Sequence, residues 1–181
     1  MKHRVCPWWL GYWLLNPLRR RAQDPHYILA PHVREGMTVL EPGPGMGFFT
    51  VELARLVGPS GRVVAVDVQP KMIAKLKQRL AKSGLADRVD ARVSPGESMG
   101  LADSWSTVDF TAAFYVVHEF PDHEQFFAEV AEASKPGAGV LVAEPKGHVK
   151  AAAFEAELEP HRRRDSRWWS GQKYGEVTPR F

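Results

Sequence analysis

The stretch 38–57 constrains the fold of this chain more than any other. An apolar run, Thr38-Val39-Leu40-Glu41, meets the closely spaced glycines Gly43, Gly45 and Gly47, and helical spacing follows over 48–57. Glycine lets a backbone turn tightly at positive φ and lets a ligand approach where a Cβ would obstruct it. A strand that ends in such a turn and enters a helix also offers unpaired helix N–H groups to a carboxylate or phosphate. The next element, RVVAVD over 62–67, is a β-branched run of the kind buried on both faces of a parallel sheet.

Strand and helix continue to alternate. Asp24-Pro25 signals the start of a short helix through Val33. Pro70 opens a helix through Lys82, with Met72, Ile73, Leu76 and Leu80 on one stripe, and Ser83-Gly84 ends it. Strands are expected over 89–93, 108–114 and 140–144. An amphipathic helix is expected over 121–133, a turn at Pro136-Gly137-Ala138-Gly139, and a helix by propensity over 151–158. The pattern predicts an α/β fold: a doubly wound, mostly parallel, Rossmann-like sheet with helices on both faces. In such folds ligands sit at the carboxyl ends of the strands, near the topological switch point.

A length of 181 residues implies one domain, and 44% apolar with 25% charged residues is ordinary for a globular protein. Charge divides the chain further. Residues 1–23 carry five Lys/Arg and no acid, 160–181 carry six Lys/Arg and two acids, and the acidic residues concentrate in between. Three regions are therefore expected: an aromatic and basic helical lid over 1–24, a ligand-binding domain over 25–158, and an irregular basic tail over 159–181. Basic ends can be plainly solvated or can touch nucleic acid or an anionic membrane surface.

Lys2 and Arg4 precede an apolar run over 5–15, but no small-residue cleavage site follows, and the run is shorter than the roughly 20 residues that span a bilayer. This, with the single cysteine Cys6, gives a cytoplasmic expectation. Trp8, Trp9, Tyr12 and Trp13 fit a lid, ordinary core packing, or an interfacial anchor backed by Arg19, Arg20 and Arg21 that makes transient contact with a membrane surface.

Spacing narrows the ligand. A dinucleotide fingerprint needs glycines at 43, 45 and 48, and position 48 is Phe. The pattern is E-x-G-x-G-x-G, and Glu41 would repel a pyrophosphate while suiting an ammonium or sulfonium group. No Gly-Lys-Ser/Thr follows, which excludes a Walker A loop.

The run VLEPGPGMG over 39–47 resembles motif I of the class I S-adenosylmethionine-dependent methyltransferases. Asp67, 20 residues after Gly47, matches the acid with which that family holds the two ribose hydroxyls. The resemblance continues through 108–114 and 136–139 and covers about 25–158. It implies S-adenosylmethionine as cofactor and methyl transfer as activity. Gly43 and Gly45 would pass under the methionine part, Pro44 and Gly47 belong to the same cofactor-binding turn, and Glu41 would act near the ammonium, directly or through water. Val68 and Met72 would flank the adenine, the segment holding Gly96 and Glu97 would contact its edge, and Phe114 would lie toward the methyl. The family commonly has Gly-Asp-Ala where this chain reads Ser94-Pro95-Gly96-Glu97. It also closes its sheet with an antiparallel hairpin, which the sequence after Leu158 predicts to be missing or altered.

The segment leaving the fourth strand, FYVVHEF over 114–120, lacks the Asn/Asp-Pro-Pro-aromatic signature of nucleic-acid amino-methyltransferases. No metal-binding acid set is visible. His118 is the candidate general base, able to take a proton near neutral pH; the alternative is that it orients a loop. The expected partner is a small-molecule acceptor, apolar if the N-terminal aromatics cover it. Two other readings stay open: a binding protein of the same fold that has lost activity, and a methyltransferase acting on RNA or protein through the basic ends.

Overall fold

The computed structural model describes residues 7, 19, 23–96, 98–104 and 106–144, together with the strand backbone of 167–171 and 178–179. Seven strands form one sheet: β1 (Thr38–Pro42), β2 (Arg62–Asp67), β3 (Val89–Val93), β4 (Val108–Phe114), β5 (Ser134–Ala143), β6 (Arg167–Gly171) and β7 (Thr178–Pro179). Their order is β3-β2-β1-β4-β5-β6-β7. The pairings from β3 through β6 are parallel, and β7 alone runs antiparallel, against β6. Four α-helices are described: α1 (Pro25–Leu29), α2 (Thr50–Leu56), α3 (Pro70–Lys82) and α4 (His123–Ala133).

Side-chain alternation divides the core into two layers. Val39, Val63, Ala65, Ala112 and Leu141 pack on one face with Leu29, Leu53, Ile73 and Leu76 from α1, α2 and α3. Their strand neighbours Leu40, Val64, Val66, Ala113, Val140 and Val142 pack on the other with Phe126, Phe127 and Val130 from α4. Burial of both faces explains why β2 reads as an unbroken apolar run rather than an alternating one. The chain reverses its direction of travel across the sheet between β1 and β4, which opens a crevice at the carboxyl ends of those two strands.

The helix ends follow from local chemistry. Asp24 caps α1 by accepting from the His26 amide at 2.9 Å, with Pro25 at the first helical position. Asp122 caps α4 by accepting from the Gln125 amide at 2.9 Å, so that helix begins two residues later than expected. α1 ends at Leu29 instead of reaching Val33, and α2 begins at Thr50, because 45–49 remain part of the turn.

Three further expectations are corrected. The turn expected at 136–139 is absorbed into β5: Val108 pairs Ser134 and Phe110 pairs Gly139, so the intervening residues bulge out of the ladder. Pro136 is tolerated there because a bulged residue owes the ladder no amide. Between β3 and β4 the described residues hold only a 3-10 turn, Ala102–Ser104, where alternation called for an α-helix. Part of the tail is also regular. β6 pairs parallel with β5 from Gly139↔Arg167 to Ala143↔Gly171, and β7 returns antiparallel through Trp169↔Pro179 and Ser170↔Thr178. An altered hairpin is therefore present. The unpaired edge of β5 and the strand propensity of adjacent tryptophans outweigh the clustered charge on which the irregular expectation rested. The expected helix over 151–158, the aromatic lid residues Trp8, Trp9, Tyr12 and Trp13, and Glu97 lie outside the described residues.

Candidate active site

The register of β1 on β2 sets the geometry of the site. Glu41 pairs with Ala65 and Pro42 with Val66, so Gly43 leaves β1 beside Asp67 at the end of β2. The Gly43 amide donates to the Val66 carbonyl at 2.8 Å. The Gly45 amide donates to Asp67 Oδ2 at 3.2 Å, and the Gln69 amide to Oδ1 at 2.8 Å. Asp67 is buried, and burial raises its carboxyl above the usual aspartate range while the two amide bonds oppose that rise.

The glycines of the turn do different work. Gly43 has φ +63°, and a Cβ there would lie 2.4 Å from Cγ2 of Val116, so its absence lets the chain leaving β4 close over the turn. Gly47 has φ +86°, and a Cβ would lie 2.5 Å from Cδ1 of Leu76; it serves the packing of α3 and lines neither cavity described below. A Cβ on Gly45 would meet no heavy atom of the described residues within 4 Å, which leaves room over that peptide for a ligand.

Glu41 is 3% exposed, and burial pushes its carboxyl up to about 8. The charge of Asp67 adds to the rise and the Thr50 hydroxyl beside it opposes it. That hydroxyl does not complete a hydrogen bond: among the described residues neither Oε2 of Glu41 nor Oγ1 of Thr50 has a partner. A buried carboxylate oxygen left without a donor is costly, and a cationic ligand group would satisfy it.

Two adjoining cavities open at this end of the sheet. The first, about 280 Å³, is bounded by Glu41, Gly43, Pro44 and Gly45 on one side and by Phe48, Phe49, Phe114, Tyr115 and His118 on the other. The second, about 250 Å³, is bounded by Val66, Val68, Ser94, Gly96 and Met99. Gly43, Asp67, Val116 and Glu119 line both. Of the residues expected around the cofactor, Glu41, Gly43, Pro44, Gly45, Asp67, Met72 and Phe114 line the first cavity and Gly43, Asp67, Val68 and Gly96 the second, whereas Gly47 lines neither. Val68 and Gly96 lie together in the second cavity, while Met72 lines the first, on the side of the glycine turn.

The far wall of the first cavity is aromatic. Phe49 and Phe114 stack with centroids 4.0 Å apart, and Phe48 meets Phe49 edge-to-face at 4.9 Å. The Arg19 guanidinium sits 4.2 Å over the Phe48 ring, and its Nε donates to Gln23 Oε1 at 2.9 Å. Gln23 in turn donates to the Tyr115 hydroxyl. Tyr115 is held at φ +57°, a rare conformation for a residue with a Cβ, and its amide donates to the Ala143 carbonyl at 2.7 Å.

His118 lies in the 3-10 turn Val117–Glu119 just beyond β4. Its Nδ1 is 2.5 Å from Oε2 of Glu144, a buried carboxylate one residue past β5. Oε1 of Glu144 accepts from the Val116 and Val117 amides at 3.1 and 2.7 Å. Sequence reasoning treated Glu144 only as a strand end and Phe48 only as a missing glycine. The available signal for Glu144 was an acid closing the apolar run 140–143 at a strand's carboxyl end. Among the described residues no group of three His, Cys, Asp or Glu could hold a metal, and no helix is long and apolar enough to cross a membrane.

Comparison with known proteins agrees with this geometry. A family model described as a methyltransferase domain matches residues 33–178. The chain is 32% identical over 124 residues to an arsenite methyltransferase of Halobacterium salinarum, covering 68% of this chain and 30% of that protein. It is 30% identical over 126 residues to a ubiquinone/menaquinone biosynthesis C-methyltransferase, UbiE, of Hahella chejuensis, covering 68% of this chain and 50% of that one. The chain therefore spans 30% to 50% of the length of these curated relatives. The crystal structure of a SAM-dependent methyltransferase from Aquifex aeolicus superposes with a TM-score of 0.78 at 28% identity, covering 87% of this chain and 88% of that one. The residues present fit the cofactor common to such proteins: an orphaned carboxylate oxygen on Glu41, open space over Gly45, and Asp67 shared by two adjoining cavities. The sheet order, the matched domain and the fit of the site agree, and the chain belongs to the class I S-adenosylmethionine-dependent methyltransferases.

Proposed function

We propose that this protein transfers a methyl group from S-adenosylmethionine to a small acceptor held in the cavity walled by Phe48, Phe49, Phe114 and Tyr115. The observation that carries this reading is Asp67, whose carboxylate pins the glycine turn through Gly45 and faces both cavities. When bound, the cofactor supplies a sulfonium methyl already activated for transfer. The protein's own contribution is to bind, orient and keep out water. Asp67 accepts from the ribose hydroxyls, Glu41 faces the ammonium, and Gly43, Pro44 and Gly45 present backbone to the methionine part. Val68 and Gly96 border the adenine. Met72 and Phe114 lie on the methionine side. His118 takes up a proton at Nε2 when the acceptor must lose one.

The first cavity, about 280 Å³ and shared with the methionine part of the cofactor, leaves room for a small molecule better than for a folded polymer. Relatives named for arsenite and for ubiquinone/menaquinone biosynthesis support a small acceptor as well. The single cysteine supports a cytoplasmic site of action. The test is incubation with methyl-labelled S-adenosylmethionine and, in turn, a hydroquinone, arsenite and a structured RNA. Labelled product with a small acceptor is the expected result. Labelled RNA would contradict the acceptor class. Cofactor binding without transfer to any acceptor would favour a binding protein of the same fold.

A further inference from the structure

Met99 forms part of the wall of the second cavity, and the sheet does not set its position. The residue is 1% exposed, with its side chain in the apolar layer that holds Val66 and Phe126. A buried amide needs a partner, and Met99 lies in neither a helix nor a strand that would supply one. Its N–H donates instead to Oε2 of Glu129, 30 residues further on, at 2.7 Å. Glu129 is half-buried on α4, and its Oε1 accepts from Gln125 Nε2 at 3.2 Å, one turn earlier. One carboxyl group, with an oxygen on its own helix and the other on Met99, thus ties the cavity wall to α4.

The same helix meets the cavity at its entry. Phe120 and Pro121 line the second cavity and lead through the Asp122 cap into α4. The end of β2 supplies Val66 and Val68 to the lining. The cavity therefore lies between a strand end and groups fixed to one helix, and the contact at Glu129 sets where Met99 stands relative to Val66 and Val68. A second anchor on the connection from β3 to β4 serves as a contrast. Asp103 Oδ1 accepts from Arg92 Nη1 at 2.7 Å, but the Asp103 side chain is 63% exposed and lines neither cavity.

We propose that Glu129 is a positioning residue for the nucleobase of the cofactor: by holding the Met99 amide it fixes a wall of the second cavity, and so sets the share of affinity that comes from the base without touching the share from the methionine part. The inference rests on the reading that the second cavity takes the adenine. Val66, Val68, Met99 and Phe120 give that cavity an apolar lining suited to a flat ring. A thioether such as that of Met99 packs well against an aromatic ring. A Cβ on Gly96 would meet no heavy atom of the described residues within 4 Å, which leaves space beside that peptide. Glu129 itself lines neither cavity, so its effect on the cofactor passes through Met99.

The test applies three ligands to the full chain: S-adenosylhomocysteine, adenosine, and S-ribosylhomocysteine, which is the first without its base. Affinities are read by calorimetry or, for weak ligands, from the Gly45 amide in 15N spectra. Glu129→Ala suits a helix and should fold, which thermal unfolding checks. It should weaken S-adenosylhomocysteine and adenosine roughly tenfold, the scale of one lost hydrogen bond, and leave S-ribosylhomocysteine unchanged. Glu129→Asp, one methylene short of Met99, should show the same pattern. Glu129→Gln keeps an oxygen that accepts from the Met99 amide and should bind all three ligands nearly as the wild type does. Asp103→Asn should bind them as the wild type does. Hydrogen exchange without ligand should find the Met99 amide protected in the wild type and in Glu129→Gln, and unprotected in Glu129→Ala. The proposal is overturned if the Met99 amide exchanges equally in the wild type and Glu129→Ala, if the three ligands weaken together or none does, or if Asp103→Asn reproduces the pattern. Binding of S-ribosylhomocysteine to the wild type as tight as that of S-adenosylhomocysteine would overturn the adenine reading of the second cavity itself, and is read before any variant is made.

Discussion

The amide of Gly45 donates to Asp67 Oδ2 across 22 residues of sequence, so one carboxylate holds the glycine turn of β1 to the end of β2. The other oxygen of Asp67 accepts from Gln69, at the entry to α3. The shape of the turn and the proposed ribose contact thus depend on the same side chain. Anything that moves Asp67 moves the floor of both cavities.

Gly43→Ala should abolish cofactor binding through Val116. The left-handed φ alone costs about 1–2 kcal/mol, and the new Cβ would lie 2.4 Å from Val116 Cγ2. Val116→Ala in the same chain removes that clash and should recover part of the stability, leaving the backbone strain. Thermal unfolding of the single and double variants checks this. No recovery in the double variant would show that the contact with Val116 is not what matters.

Leu76→Ala should destabilise the protein by roughly 2–5 kcal/mol, the usual range for emptying a buried leucine site. Leu76 is fully buried in the layer beneath α3 and touches the space that a Cβ on Gly47 would fill. Its loss should also weaken cofactor binding, because the turn rests on it. Chemical denaturation and calorimetry on the same sample measure both. A large loss of stability with unchanged affinity would separate the turn from α3.

Glu41 gives a pH dependence with a definite sign. Its carboxyl goes from 4.5 when unfolded to about 8 when folded, so its contribution to stability is fully present below pH 4.5 and is lost as pH rises through 8. Glu41→Gln should therefore be more stable than wild type near pH 8, by an amount on the order of a few kcal/mol, and the gap should close toward pH 4.5. Cofactor affinity should run the other way. A cationic group favours the ionised carboxylate, so wild-type binding should tighten as pH rises toward 8 and should release a proton. Calorimetry in buffers of different ionisation enthalpy reads that proton, and a buffer-independent heat would count against the contact.

How far the residues alone announced this structure depends on whether their information is local. β2, β3, β4 and α3 occupy the residues expected of them, because each is bounded by its own turn or cap and buries a run or stripe visible in sequence. Glu41, Gly43, Gly45 and Asp67 were legible for the same reason, as a motif written within one βαβ step. What was not legible depends on partners distant in sequence. Glu144 becomes significant only when β5 lies beside β4 and brings its carboxylate to His118. Arg19 matters only because it reaches the Phe48 ring. β6 forms on an edge that exists only once β5 is in place, and no composition of 167–171 announces that edge.

The central claim, that the glycine turn and Asp67 form an S-adenosylmethionine site, is tested most directly by calorimetric titration of the folded wild type and of Asp67→Ala with S-adenosylmethionine, with NADH as the control ligand. Saturable binding of S-adenosylmethionine by the wild type, no binding of NADH, and affinity at least about tenfold weaker in Asp67→Ala are the predicted results. Equal affinity of the two proteins, or no binding by a wild type shown to be folded, would contradict it.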